Sequence, residues 1–175
     1  MTRLRLLSDF IDRLNGAIGR VSAWAILVMA LIQFAVIVLR LFGIDSLWLN
    51  ESLVYFHVAL VLFTAAWTLR HDGHVRVDIF YTAASPRAQA AIDLAGSVLL
   101  LLPFMLAIAW FASPYTLRSW KILEGSREAG GLPLVFLLKS AILLFAAQML
   151  LQGISQAIRA GLALSRPNGT VAAPS

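Results

Sequence analysis

A histidine inside an otherwise apolar stretch is the first residue of this sequence that could do chemistry. His57 stands within the run Leu53 to Leu69, and an ionisable group at such a place is a functional candidate. It could relay protons, or it could ligate a haem iron. A haem usually takes a second axial ligand from another helix, and Met29 and Met105 are the methionines placed for that. The plainer use is a neutral imidazole hydrogen-bonded to a neighbouring helix or to a partner subunit. Lys139 lies about 9 Å inside the first end of the run Leu134 to Ile158, at 1.5 Å per residue. Its ammonium can snorkel to the lipid headgroups, or pair with Glu124, Glu128 or a partner. His71 and His74 with Asp72 and Asp78 are the nearest approach to a metal-binding set, but they lack helical i, i+4 spacing and a surface loop explains them equally well. Glu51, beside Asn50, precedes most of the second run, where it suits either the positive end of a helix dipole or a subunit contact.

The missing chemistry is equally informative. There is no cysteine, so disulfides, thiolate nucleophiles and Cys-ligated metals or clusters are excluded. There is no G-x-x-x-x-G-K-S/T loop, no nucleophile elbow and no carboxylate pair within an apolar run. No catalytic site, metal or cofactor is therefore expected.

The elements that position these residues follow from composition. Of 175 residues, 60% are hydrophobic and 13% charged, with a mean hydropathy of +0.83. A soluble domain carries about 25% charged residues, so lipid is the expected solvent for a single domain of this length. The net charge of +5 does not point to nucleic acid, because the basic residues flank the apolar runs and leave no aromatic-plus-basic surface.

A membrane-spanning helix needs about 20 predominantly apolar residues. Four runs qualify, at about 21–42, 53–69, 90–111 and 134–158. Residues 1–20 differ: Leu4, Leu7, Ile11, Leu14 and Ile18 form one stripe at helical spacing, with Arg3, Arg5, Asp9, Asp12 and Arg13 off it. This predicts an amphipathic helix in the membrane interface. A secretory signal peptide fits poorly, since the apolar run that follows is too long and no A-x-A-like site ends it. The reading is an all-α integral membrane protein: an interfacial helix over 1–20, a four-helix membrane domain over 21–164, and a disordered tail over 165–175.

Orientation follows from lysine and arginine. Arg3, Arg5, Arg13, Arg20, Arg70, Arg76, Arg87, Arg159 and Arg166 fall on one side, against Arg40, Arg118, Lys121 and Arg127 on the other. The positive-inside rule places both termini in the cytoplasm. The connection from Arg70 to Gln89 is then a short cytoplasmic segment at headgroup level. Ser85-Pro86 reads as an N-cap and first helical proline launching the third span. Pro103 is expected to kink that span, and Ser113 to Pro133 to form a turn-rich periplasmic loop. Ala91 and Ala95, Ala109 and Ser113, and Gly153, Ala157 and Gly161 are small residues four apart that permit close helix packing. Trp48, Trp67, Trp110 and Trp120 fall near span ends, as interfacial anchors do. No internal repeat supports an inverted-repeat transporter core.

Several stretches between Asn50 and Leu164 are similar to a known family. Trp48-Leu49-Asn50-Glu51 precedes Thr64-Ala65-Ala66-Trp67-Thr68-Leu69-Arg70; then come His71-Asp72-Gly73-His74-Val75-Arg76-Val77-Asp78 and Ser85-Pro86-Arg87. This resembles the small (Q) membrane subunit of tripartite ATP-independent periplasmic (TRAP) transporters, where a span ends in a basic residue followed by Gly-His-apolar-Arg/Lys-Val-Asp. Ser119-Trp120, Glu124-Gly125-Ser126 and Gly130-Gly131-Leu132-Pro133 are similar to the mannitol/chloroaromatic branch. The sequence departs where Asn50 replaces the first of two acids, Val54 stands at a frequent arginine, and Thr64-Ala65-Ala66 replaces Gly-Ala-Ala.

The resemblance implies a three-part system in the bacterial inner membrane. A periplasmic solute-binding protein captures an organic acid or related solute. A large multi-span subunit carries the substrate and sodium sites, and the small subunit braces it. It marks Glu51, Trp67, Arg70, Gly73, His74, Arg76 and Asp78 as candidate family-motif residues, and Lys139, by its place in the fourth run, joins them as a candidate subunit contact. Two alternatives remain open at this point: a membrane anchor of a redox enzyme with His57 on a haem, and a self-contained homodimeric exporter.

Overall fold

The computed structural model describes residues 2–74 and 81–165, all helices and connecting turns with no strand among them. The helices are α1 (Thr2–Ala23), α2 (Ala25–Leu41), α3 (Leu47–Arg70), α4 (Pro86–Ala95), a π-helical segment (Gly96–Leu101), α5 (Leu102–Lys121) and α6 (Val135–Leu164). Four helical stretches are long and apolar enough to cross a membrane: Thr2–Leu41, Leu47–Arg70, Pro86–Lys121 and Val135–Leu164. Their order and number agree with the four expected spans.

Helices overrun the expected spans because apolar runs mark hydrocarbon depth, whereas caps mark where a helix stops. Ser46, in extended conformation, accepts the Leu49 N–H at 3.4 Å and starts α3 six residues ahead of Leu53. At the other end Gly73 N–H donates to the Thr68 carbonyl at 2.9 Å, and Asp72 N–H to Leu69 at 3.3 Å. Asp72 takes a positive φ of 53°, so the turn is a Schellman cap. A Cβ on Gly73 would lie 3.0 Å from the Thr68 methyl, which explains the small residue there. Ser85 accepts the Ala88 N–H at 3.3 Å, with Pro86 at the first helical position, as expected.

The third span absorbs Pro103 by changing its helix type. Proline lacks an N–H, and its ring crowds the carbonyl four residues back. The wider π turn over Gly96–Leu101 lies directly ahead of it and opens the backbone there. The helix then continues through Pro114 to Lys121, so the connection to α6 is 122–134 rather than starting at Ser113. Ser113 and Thr116 lower the local hydropathy without ending the helix: Ser113 Oγ donates to the Ala109 carbonyl, and Thr116 is buried.

α1 and α2 form one near-continuous rod broken at Trp24. It runs antiparallel to α3, with Gly16 against Arg70 and Gly19 against Trp67. The buried side of α1 is small and polar: Ser8, Asp12, Asn15, Gly16 and Gly19 with Ile11. Of the expected apolar stripe only Ile11 is buried, while Leu4, Leu7 and Leu14 are exposed. Where lipid is the solvent, apolar side chains lose little by facing outward, and polar ones must find partners inside.

α6 is the central helix, packed against α1, α3, α4, the π segment and α5. The apolar core is a small cluster of Ala66, Met105 and Met149 flanked by Leu69, Leu101, Ile108 and Phe145. Gly153 brings the π segment close, since a Cβ there would meet Leu101 at 2.9 Å.

Candidate functional site

The sequence-predicted residues gather at the two ends of the bundle. At the end carrying the 122–134 connection, Glu51 does not serve the dipole of its own helix. Its carboxylate accepts Ser126 Oγ–H and the Leu132 N–H, each at 2.5 Å. Ser126 N–H donates in turn to the Leu132 carbonyl at 2.9 Å. The connection is thereby folded onto α3. Gly131 makes this possible, because a Cβ there would lie 2.6 Å from Glu51 Oε1 and closer still to Ser126.

Lys139 lies beside this clamp and is turned inward. Its Nζ sits 2.5 Å from Glu124 Oε2 and 3.9 Å above the Tyr115 ring. The side chain is only 12% exposed, so it holds the connection to α6 instead of reaching outward. The hydrogen bond from Lys139 holds the Glu124 carboxyl below its ordinary range, against the opposing effect of desolvation. Trp120 Nε1 donates to Ser140 Oγ at 2.7 Å, closing the same corner between α5 and α6.

At the opposite end Arg70 belongs to a network that sequence reasoning missed. Its centre is Asp12, 3% exposed. Arg159 reaches the Asp12 carboxylate at 2.6 Å and Arg70 at 3.6 Å. Ser155 Oγ and Gln152 Nε2 donate to Asp12 Oδ1 at 2.8 and 3.0 Å. Arg70 also donates to the Asp12 backbone carbonyl at 3.1 Å. Asn15 Nδ2 donates to Gln152 Oε1 at 2.8 Å, and Ser8 and Ser155 share a 2.7 Å hydroxyl contact. One carboxylate thus joins α1, α3 and α6. The sequence reading put Asp12 on the polar outer side of α1. A signal was present: Gln148, Gln152, Ser155 and Arg159 make a polar stripe along apolar α6 at spacings of three and four.

The other motif residues have local roles. Trp67 lies over Gly19 and stacks obliquely on His71 at 4.2 Å between ring centres. The Trp67 carbonyl accepts from His71 Nδ1 at 2.8 Å, and the Ala65 carbonyl from His74 Nε2 at 3.3 Å. Gly73 serves the α3 cap. Arg76 and Asp78 lie outside the described residues. Among the described residues no three His, Cys, Asp or Glu side chains group as a metal site. His57 is exposed on α3, beside Met29 and Gln33 of α2, whereas Met105 is packed in the core.

The comparisons with known proteins agree with this architecture. The family model described as the DctQ component of tripartite ATP-independent periplasmic transporters matches residues 28–161. No curated protein and no solved structure matches the chain. The match begins within α2, ends near the close of α6, and covers most of the chain, including both charged clusters except their α1 members. The chain therefore belongs to the DctQ family and is the small (Q) membrane subunit of a tripartite ATP-independent periplasmic transporter.

Proposed function

We propose that this subunit is the static membrane brace of a sodium-coupled, binding-protein-dependent secondary transporter for an organic acid or related solute. Family membership indicates a transporter component in the inner membrane, not an enzyme, and a tripartite assembly with a large membrane subunit and a periplasmic binding protein. In this reading the large subunit carries the solute and sodium sites and moves, and the small subunit anchors it.

The observation that supports bracing is how the charged side chains are used. Asp12 ties three helices at one end, while Glu51 and Lys139 tie the 122–134 connection to α3 and α6 at the other. Such clusters favour one helix arrangement. The distribution of arginine and lysine puts both termini in the cytoplasm, so 122–134 faces the periplasm. There Arg118, Lys121 and Arg127, all exposed, form a surface for the binding protein. Trp67, Arg70, Gly73 and His74 then sit at the cytoplasmic end, at or near the Asp12 network.

A pull-down of the tagged chain from its native membrane in mild detergent tests this, with mass spectrometry and an absorbance scan. A much larger many-span protein recovered in roughly equal amount, with no haem band, is the expected result. Uptake by the reconstituted three-part system should collapse when the sodium gradient is dissipated. Recovery of this chain alone, or with a coloured redox subunit, overturns the reading.

A further inference from the structure

α2 is a sparsely covered span. It packs along α3 and touches α1, and Ile26, Leu27, Leu31, Phe34 and Ile37 are exposed. Between α2 and α3 runs an open groove of about 500 Å³ lined by Met29, Ala30, Gln33, Leu53, Val54 and His57. Its polar members are unusual for their depth. His57 lies ~15 Å from Leu47 and ~20 Å from Arg70 along α3, at 1.5 Å per residue, which is near the middle of the hydrocarbon.

Several other polar side chains within the spans have internal partners, although the buried Tyr55 hydroxyl has none among the described residues. Gln148 donates to the Phe63 carbonyl at 2.9 Å, and Gln152 bonds Asn15 and Asp12. Thr64 and Thr68 donate to carbonyls of their own helix. Gln33 and His57 are exposed and hydrogen-bond to no described residue. Lipid chains offer no hydrogen bond to an amide or an imidazole.

The opposite flank is different. Leu99, Leu100, Phe104, Leu106, Trp110 and Phe111 are exposed there. The groove on that side, lined by Gly96, Leu99, Leu100, Leu101, Pro103 and Phe104, has no polar side chain. That flank suits lipid, and the α2–α3 flank suits a protein.

The spacing also suits one passing helix. Met29 and Gln33 are four apart on α2, and Val54 and His57 three apart on α3, so each pair lines the groove along its axis. We propose that the α2–α3 groove seats a membrane helix of the large subunit, which presents a hydroxyl, amide or carboxyl group to His57 and Gln33. This inference rests on the family assignment, which supplies a large membrane partner.

The test places a photo-crosslinking amino acid at Ala30, Val54 or Leu99 in the complete complex in native membranes. Adducts with the large subunit from Ala30 and Val54, and none from Leu99, are expected. The double variant Gln33→Leu/His57→Leu should lower recovery of the large subunit roughly tenfold in mild detergent, as the loss of two typical interhelical hydrogen bonds implies. A His57→Asn variant should restore part of it. Adducts with the large subunit from Leu99 alone overturn the inference and leave the family reading intact. Adducts from Val54 to a second copy of this chain also overturn it. Failure of the large subunit to co-purify with the unmodified chain would remove both.

Discussion

Replacing Asp12 by alanine should loosen the end of the bundle where α1, α3 and α6 meet. Three side chains lose a hydrogen-bond acceptor, Arg159 at 2.6 Å, Ser155 at 2.8 Å and Gln152 at 3.0 Å, and Arg70 loses an ion-pair partner at 3.6 Å while keeping its bond to the backbone carbonyl of residue 12. Hydrogen bonds to a charged group contribute about 1.5–3 kcal/mol each. Their sum overstates the loss, because the arginine side chains are 34% and 41% exposed and regain water when the acid is gone. Gln152 and Ser155 are fully buried and do not. The expected net destabilisation is about 2–4 kcal/mol, and about 1–2 kcal/mol for Asp12→Asn, which keeps the shape and one acceptor oxygen. Unfolding in mixed micelles of increasing SDS content, followed by far-UV circular dichroism, gives these differences. A cycle of Asp12→Ala, Arg159→Ala and the double variant isolates the pair, with an expected coupling of about 1–2 kcal/mol. If Asp12→Ala stays within about 0.5 kcal/mol of the unaltered protein, a range typical of surface changes, the network does not hold these helices together and bracing rests on the Glu51 and Lys139 contacts alone.

Two further outcomes follow from the same geometry. A Cβ at residue 19 would stand 2.7 Å from Trp67 Cβ, whereas one at residue 161 meets nothing within 4 Å. Gly19→Ala should therefore cost about 1–3 kcal/mol by forcing α1 from α3, and Gly161→Ala should leave stability unchanged or raise it by up to about 1 kcal/mol; the same unfolding assay separates them. The Lys139–Glu124 contact predicts an acid dependence. Glu124 titrates below its ordinary value of 4.5 in the folded chain, so its contribution is complete above that value and is lost as pH falls through the lower folded one. Thermal stability of the detergent-solubilised protein should drop across that acid window, and Glu124→Gln, already lacking the charge, should flatten that part of the drop.

Much of this protein was legible from local sequence. Four spans could be counted because a run such as 134–158 is long enough to cross hydrocarbon whatever it packs against. The start of α4 was readable because Ser85-Pro86 caps a helix within one turn. The Gly73-His74 motif pointed to the family before any geometry, and the family model agrees. Span ends were less legible, because Ser46 and the Asp72–Gly73 turn stop α3 by hydrogen bonding, which hydropathy does not register.

Only the tertiary structure decided which side of each helix faces inward. In water, an apolar stripe names the buried face; where a helix can meet lipid, an apolar stripe can face outward and the rule loses its force. α1 shows the consequence, burying Ser8, Asp12 and Asn15 while Leu4 and Leu7 stay outside. The partners of Asp12 lie in α3 and α6, as far along the chain as Arg159, and no local pattern joins positions so distant. The same holds for Glu51 with Ser126 and Leu132. Sequence determines how much of a helix lipid will accept, whereas long-range pairing of its few polar groups determines where that helix stands.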